Sequence, residues 1–204
     1  MLAILLSAFT LVLPPQGEFK PFYESEGVVV TIARKTPHPW IRGETTLNYS
    51  ATDISDILKN YENYSQTFEG LIETSKVLSK TDTETRVHLV WPFPLFMSDR
   101  DAVVTYQSSE DPKGEITIQW EKSHQPGDPQ TGVRIESVGG STKIIPVSDK
   151  QSRVIYTYLG DLGADFNETV RDYAWKKEPI KYFEAVRETL KKRTAKKYPS
   201  SDSP

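Results

Sequence analysis

A strand-like alternation of apolar and polar residues extends over residues 27–159. In one segment Val87, Leu89 and Trp91 fall on one side of the pattern and His88 falls on the other. Because successive side chains of a strand point to opposite faces, this pattern indicates an antiparallel sheet with one buried face. It predicts seven strands: 28–34, 44–51, 85–91, 101–107, 115–122, 132–138 and 152–159. Turn residues separate several of them, at 110–115, 138–141 and 148–152.

Two stretches have a helical pattern instead. Residues 51–60 carry apolar residues at helical spacing behind a candidate N-cap, Thr52 or Asp53, which predicts a short helix. Residues 165–193 form a long helical pattern whose apolar stripe changes phase at Pro179, where we expect a kink or a restart. The order of elements predicts an α+β fold, in which a curved antiparallel sheet wraps one long C-terminal helix and encloses a pocket.

Composition narrows the chemistry that this chain can perform. Its 204 residues fit one domain, and its net charge of −3 is spread along the sequence, so we expect no nucleic-acid partner. There is no cysteine, which removes thiolate nucleophiles, disulfides and thiolate metal sites. The three histidines, His38, His88 and His124, lie far apart in sequence. We expect neither a cofactor nor a metal ion, and a monomer as the assembly.

The N-terminal residues 1–17 begin with thirteen uncharged residues, followed by Pro14 and Pro15. The run is shorter than the roughly 20 apolar residues that a membrane-spanning helix needs, and it has the length of the apolar core of a signal peptide. We predict an exported protein, periplasmic or secreted; if the segment is instead the first helix of the domain, the protein is cytoplasmic. Residues 18–193 then form the domain, and residues 194–204 a disordered polar tail.

Asp99, Arg100 and Asp101 follow the proline-punctuated apolar run at 91–96 and precede a predicted strand. Two carboxylates around an arginine could form an acid–base pair or anchor a corner of the fold. A positive charge between carboxylates favours their ionised forms, whereas a general acid must hold its proton. We therefore assign these three residues a structural role.

Several aromatic residues occupy positions that the alternation places on the buried face. Each could be ordinary core, but as a group their hydroxyls could hold a hydroxylated lipid in a cavity. The predicted ligand-binding residues are Trp91, Val104, Tyr106, Trp120, Ile135, Tyr156, Tyr158, Val170 and Tyr173. The long polar connection at 122–132 is predicted to be a lid or a plain solvated loop.

Four stretches, in the order in which they occur, carry a resemblance to a known family: EGVVVTIARKTP, WPFPLFMSDRDAVV, GVRIESVGGSTKIIPVSDKQSRVIYTYLGDLGADF and AWKKEPIKYFEAVRETL, at 26–37, 91–104, 132–166 and 174–190. Over about residues 24–193 the chain resembles a START domain, the lipid-transfer domain related to the steroidogenic acute regulatory protein, within the helix-grip superfamily. The resemblance implies a seven-stranded antiparallel sheet gripping the C-terminal helix around a cavity for one hydrophobic ligand. It also implies that Arg100 is structural.

The chain departs from the family pattern at two points. Family members usually begin the last helix with a Gly-x-Ile-Pro-like sequence, where this chain has Gly163-Ala164-Asp165-Phe166. Some carriers place a charged residue six positions beyond the motif arginine, where this chain has Tyr106. A cavity specific for a charged head group is therefore less well supported, and the resemblance leaves the ligand class open.

We expect a non-enzymatic protein that binds, transfers or senses one hydrophobic molecule, with transient membrane contact. The basic stretch 191–197 could touch an anionic membrane, although compensation of the helix dipole is the favoured interpretation. One alternative is a cyclase- or aromatase-type enzyme in which His88 and Tyr106 transfer protons, although His88 has the wrong strand parity for the cavity. Another is an adaptor or chaperone-like module that uses the outer face of the sheet.

Overall fold

A sheet of ten strands is the main feature of the computed structural model, which describes residues 14–15, 17–34, 38–93, 97–163 and 166–197. The strands are β1 (Lys20–Ser25), β2 (Val28–Ala33), β3 (Trp40–Leu47), β4 (Thr74–Lys80), β5 (Glu84–Trp91), β6 (Arg100–Glu110), β7 (Ile116–Lys122), β8 (Val133–Arg134), β9 (Gly139–Ser148) and β10 (Gln151–Leu159). They pair in the order β1-β2-β3-β10-β9-β7-β6-β5-β4, and the short β8 pairs in parallel with β6. The predicted α+β helix-grip fold is confirmed, with more strands than the seven expected.

The two predicted helices are present, and two short helical pieces that were not predicted follow the first of them. They are α1 (Ala51–Leu58), a 3₁₀ turn (Tyr61–Asn63), α2 (Tyr64–Thr67) and α3 (Glu168–Lys197). The N-cap of α1 is Ser50, two or three residues before the predicted Thr52 or Asp53, because the Ser50 hydroxyl accepts a hydrogen bond from the Asp53 backbone N–H at 3.1 Å. α3 continues through Pro179 as one helix and does not restart there.

Small residues on β3 and after β10 let α3 lie close against the concave face of the sheet. A Cβ atom on Gly43 would come within 2.7 Å of the Pro179 side chain and 3.1 Å of the Phe183 ring. Gly160 makes a similar contact with Trp175, whose indole N–H donates to the Gly160 carbonyl at 3.0 Å. The buried face of α3 and the concave face of the sheet thus form a common core.

The region around residues 132–148 differs from the prediction. The predicted strand 132–138 is reduced to β8, and the predicted turn at 138–141 is the start of the long strand β9. Gly140 serves close packing there, because a Cβ atom at this position would lie 2.4 Å from the Trp120 ring and 2.4 Å from the Thr157 carbonyl oxygen. The pair Gly139-Gly140, which resembles a turn in sequence, is therefore part of β9, and the Trp120 ring of the neighbouring strand β7 packs against it.

The predicted end segments fall largely outside the described residues. This applies to residues 1–13 and 16 of the predicted export segment and to 198–204 of the predicted tail. α3 extends to Lys197, so the boundary of the folded part moves four residues beyond the predicted 193. Within the described ranges, none of the helices has the length and apolar character to cross a membrane.

Candidate ligand cavity

A cavity of about 90 Å³ lies between the concave face of the sheet and the helices. Strands β5, β6, β7, β9 and β10 form one side of it, and Glu178 and Tyr182 of α3 form part of the other. The segment from the last residue of α1 to β4 completes the wall with apolar and aromatic side chains, from Leu58, Tyr64, Phe68, Leu71 and Ile72. A concave, mostly apolar space with few polar groups is typical of a binding site for a small hydrophobic molecule.

Five of the nine predicted ligand-binding residues line this cavity: Trp91, Val104, Tyr106, Trp120 and Tyr156. Strand pairing brings them together, since Tyr106 on β6 lies directly opposite Trp120 on β7. Strand parity was a sufficient signal here because residues directly opposite each other on paired strands share a face. Their contact with a ligand stays a prediction.

Val170 and Tyr173 do not line the cavity, and this part of the site prediction was wrong. Their exposed fractions are 42% and 64%. The inward stripe of this half of α3 passes through Trp175, which is 4% exposed. At about 100° per residue, positions 170 and 173 lie roughly 140–200° from Trp175, on the solvent side of the helix.

Ile135 and Tyr158 are placed near the cavity wall without lining it. Ile135 is buried, and its backbone N–H donates to the Asp101 carbonyl at 2.8 Å, which places it beside the start of β6. The Tyr158 ring stacks on Tyr156 with 5.2 Å between ring centroids. Tyr158 therefore packs beside the lining residue Tyr156, on the same face of β10.

The aromatic residues of the cavity form a continuous stack from the sheet to the helix. Ring centroids are 5.8 Å apart for Tyr106 and Trp120, and 5.8 Å apart for Trp120 and Tyr156. Tyr156 then lies almost parallel to Tyr182 of α3, at 3.9 Å and 4°, and Tyr182 stacks on Phe68 at 5.1 Å. Such contacts fix the rings, so this part of the wall is preorganised.

Glu178 is the functional candidate that the sequence prediction missed. It lines the cavity from α3, and its Oε1 atom accepts a hydrogen bond from the Tyr156 hydroxyl at 2.9 Å. Its Oε2 atom is buried and has no hydrogen-bond partner among the described residues. The signal was present in the sequence, because positions 175, 178 and 182 have helical spacing and Glu178 is a charged residue on that otherwise aromatic face.

The surroundings of Glu178 favour its protonated form. Burial raises the pKa of Glu178 to about 7, although the nearby hydroxyls of Tyr156 and Tyr158 act in the opposite direction. Burial likewise raises the pKa of Tyr156 and of Tyr158 well above their usual range, and the Glu178 carboxyl adds to that increase. Tyr182 shares a hydrogen bond with Thr142 at 3.2 Å. The cavity thus contains one carboxyl that changes charge near neutral pH.

The contacts of the Asp99-Arg100-Asp101 sequence support the structural role predicted for it, which stays a prediction. The Asp99 carboxylate accepts a hydrogen bond from the Phe93 backbone N–H at 3.0 Å. Arg100 lies 4.2 Å from the Phe93 ring centroid and donates to the Leu162 carbonyl at 2.9 Å, and it also donates to Ser98. These contacts tie the segment before β6 to the segment before α3. Residues 94–96 of the same motif lie outside the described residues.

His88 lies on the face of the sheet opposite the cavity. Leu89 and Trp91 line the cavity, so the alternation of β5 directs His88 to the convex side. There it is 3% exposed, and its Nε2 atom is 2.8 Å from an Asp101 carboxylate oxygen. A mechanism in which His88 and Tyr106 act together inside the cavity therefore has no structural basis.

The connection after β7, residues 123–132, packs on this convex face and not over the cavity; we call it the outer loop. Arg86 donates to the Ser123 carbonyl at 3.0 Å and to the Asp128 carboxylate at 2.7 Å. The Asp101 carboxylate accepts a hydrogen bond from the Thr131 backbone N–H at 2.9 Å. These contacts place the outer loop away from the cavity, so the predicted lid does not fit; the loop is largely exposed to solvent, as the alternative predicts, and a few side chains tie it to the sheet.

Comparison with known proteins identifies the fold. No protein-family model matches the sequence, and a search of curated proteins found no match. Among solved structures, a STAR-related lipid transfer protein from Xanthomonas axonopodis is similar at 23% identity and a TM-score of 0.74, covering 85% of this chain and 98% of that one. Human StAR-related lipid transfer protein 5 is similar at 17% identity and a TM-score of 0.78, covering 88% and 89%.

A more distant similarity connects the fold to an enzyme. The Zhui aromatase/cyclase from Streptomyces sp. R1128 matches at 11% identity and a TM-score of 0.54, covering 76% of this chain and 94% of that one. The chain therefore has the START-domain fold, as the resemblance implied. Similarity at these identities establishes architecture, and the function has to be argued from the cavity.

Proposed function

We propose that this protein binds one hydrophobic molecule of lipid type in the cavity between the sheet and α3, as a carrier or sensor. The observation that carries the proposal is the aromatic wall of the cavity, which includes Trp91, Tyr106, Trp120 and Tyr156. Burial of an apolar ligand there would supply about 25 cal/mol per Å² before ordering costs. The lipid-transfer proteins with the same fold support the proposal.

A lipid requires the cavity to enlarge. The present space of about 90 Å³ is smaller than the roughly 300–1,000 Å³ of typical ligand sites. The wall between α1 and β4 is the part that we expect to move, because it is built from short helical pieces and not from paired strands. Transient contact with a membrane would accompany loading in this proposal.

Native mass spectrometry of the purified protein tests the proposal. We expect one bound hydrophobic molecule per chain, identified after organic extraction. Val104→Phe adds bulk inside the cavity and should abolish this species, whereas the matched change Val147→Phe is at a position 58% exposed on β9 and should retain it. Circular dichroism should show that both variants fold, since overpacking costs about 1–3 kcal/mol. A protein that stays empty across a lipid panel, or equal binding by the two variants, contradicts the proposal.

A second candidate, proton transfer on a bound ligand as in a cyclase, draws support from one observation. Glu178 lines the cavity and its pKa of about 7 suits a general acid or base. The two candidates differ in the fate of the ligand. Carrier function predicts that the molecule extracted after incubation has an unchanged mass; conversion by the native protein and not by Glu178→Gln would favour the enzyme.

We also propose export, on the basis of the uncharged run at the start of residues 1–17. N-terminal sequencing of the protein recovered from its native cell should then begin near residue 18. Recovery of chains that begin at Met1 would contradict this proposal.

A further inference from the structure

One buried carboxylate oxygen of the cavity wall, Glu178 Oε2, has no partner at hydrogen-bond distance among the described residues. The Tyr158 hydroxyl is likewise buried and has no partner at hydrogen-bond distance in the described part of the chain, although it lies near enough to the carboxyl to lower the pKa of Glu178. The other carboxylate oxygen, Oε1, already accepts from Tyr156 at 2.9 Å. Buried polar atoms are normally paired, so an unpaired carboxylate oxygen on a cavity-lining residue indicates a place for a ligand atom.

Above neutral pH, where Glu178 is ionised, this position is an acceptor only. An ionised carboxylate only accepts hydrogen bonds, and the partner that completes it must carry an N–H or O–H group. The remaining polar groups of the wall are hydroxyls, and Tyr182 and Thr142 already bond to each other at 3.2 Å. A ligand hydroxyl or ammonium therefore satisfies Glu178 Oε2, whereas a ligand carboxylate would bring acceptor against acceptor and charge against like charge.

No cation in the described ranges offsets a second negative charge here. The titratable groups that face Glu178 are Tyr156 and Tyr158 on β10 and Tyr182 on α3. None of the described lysine or arginine side chains forms an ion pair with Glu178. An anionic ligand head group at this position would therefore be uncompensated in a low-dielectric site.

We infer that Glu178 is the specificity-determining residue of the cavity: it accepts a hydrogen bond from a hydroxyl or ammonium group on an otherwise apolar ligand and excludes a carboxylate. This inference rests on the proposed function. Unlike that proposal, it names the chemical group that the ligand presents and the side chain that recognises it.

Binding of 1-dodecanol, dodecylamine and dodecanoate tests the inference, because the three probes share one alkyl chain and differ in the head group. Each is titrated below its aggregation concentration, and the fluorescence of Trp91 and Trp120, which line the cavity, reports binding. At pH 8.5 the native protein should bind the alcohol and the amine about tenfold or more tightly than the acid, the scale of one uncompensated charge.

Glu178→Gln keeps the size of the side chain and removes its charge. This variant should bind dodecanoate about tenfold more tightly than the native protein at pH 8.5 and dodecylamine about tenfold less tightly. Because misfolding would change the binding of all three probes in the same direction, a gain for the acid together with a loss for the amine is the decisive result. Glu184→Gln changes an exposed glutamate of the same helix and should leave all three affinities unaltered.

The pH gives a second measurement on the native protein alone. Since Glu178 is protonated below neutral pH, the discrimination against dodecanoate should weaken between pH 8.5 and pH 5.5. Equal binding of the three probes, or the same preference in Glu178→Gln, overturns the inference and leaves the proposed function standing. Failure of all three probes to bind any variant overturns the proposed function as well.

Discussion

The two faces of the sheet each bury a carboxyl group, and they treat it differently. On the convex face Asp101 is 0% exposed, and its carboxylate lies 3.1 Å from Arg134 and 2.8 Å from His88. On the concave face Glu178 receives one hydrogen bond, from Tyr156, and none of the described cations pairs with it. Arg134 compensates the negative charge of Asp101, whereas none of the described cations compensates the charge that Glu178 carries when it is ionised.

This difference distinguishes the Asp101 cluster from the proposed ligand site at Glu178. Asp101 also has an oxygen without a partner, Oδ1, but its charge is already compensated by Arg134. Its neighbours hold the outer loop against the sheet, so the cluster stabilises the structure. Glu178 lies beside empty space, where an incoming molecule can supply the missing partner. A buried charge indicates function only when the protein itself has not compensated it.

The largest effect should come from breaking the convex cluster. Asp101→Ala leaves Arg134 and His88 buried without their carboxylate, which should lower the free energy of unfolding by about 3–5 kcal/mol. Urea denaturation at pH 7 measures this, with Asp149→Ala in the exposed turn after β9 as the control near zero. A loss below about 1 kcal/mol would show that the cluster is not structural.

An effect nearly as large should appear in the pH dependence that Glu178 confers. Burial raises the pKa of Glu178 from 4.5 to about 7, so the folded protein holds this proton more tightly than the unfolded chain does. This proton stabilises the folded protein by about 3 kcal/mol. The contribution is fully present below about pH 4.5 and is lost as the pH rises through 7.

Denaturation at pH 4.5 and pH 8 checks this sign. Between the two, native protein should lose about 3 kcal/mol more than Glu178→Gln does. Glu184→Gln, at an exposed position on the same helix, should follow the native curve. Parallel curves for the native protein and Glu178→Gln would mean that the carboxyl is hydrated and not buried.

The smallest predicted effect is the pH dependence of stability that Asp128 confers on the convex face, and its sign is opposite to that of Glu178. Burial opposes ionisation of Asp128, but the Gln125 N–H and the Arg86 guanidinium outweigh it and lower the pKa of Asp128. Its stabilisation is therefore present above pH 3.8 and is lost as the pH falls. Asp128→Asn should cost about 1 kcal/mol at pH 7 and less at pH 3, measured by denaturation. A cost that grows on acidification would contradict this assignment.

The fold was predictable because periodicity and burial agree over most of the chain. The alternation of β5, β6 and β7 placed Trp91, Tyr106 and Trp120 on one face, and the structure has them there. Prediction failed at Gly140, where local propensity indicates a turn. The packing of Trp120 against this glycine is a long-range contact that local patterns do not contain.

The candidate site was only partly predictable, for a related reason. Strand parity fixes which face a residue is on, but helix phase depends on where the helix meets the sheet. Val170 and Tyr173 were therefore placed on the wrong side of α3, and Glu178 was overlooked because a charged residue on an apolar face is normally solvated. Similarly, nothing in the composition of the outer loop shows that Arg86 holds it to the sheet.

The central claim is that the space beside Glu178 is the ligand site, and photoaffinity labelling tests it most directly. An alkyl alcohol that carries a diazirine is bound to the native protein, irradiated, and its attachment points are mapped by mass spectrometry of peptides. The account predicts labelling at cavity residues such as Trp120, Tyr156 and Glu178, suppressed by Val104→Phe. Labelling confined to exposed residues such as Tyr173 would contradict it.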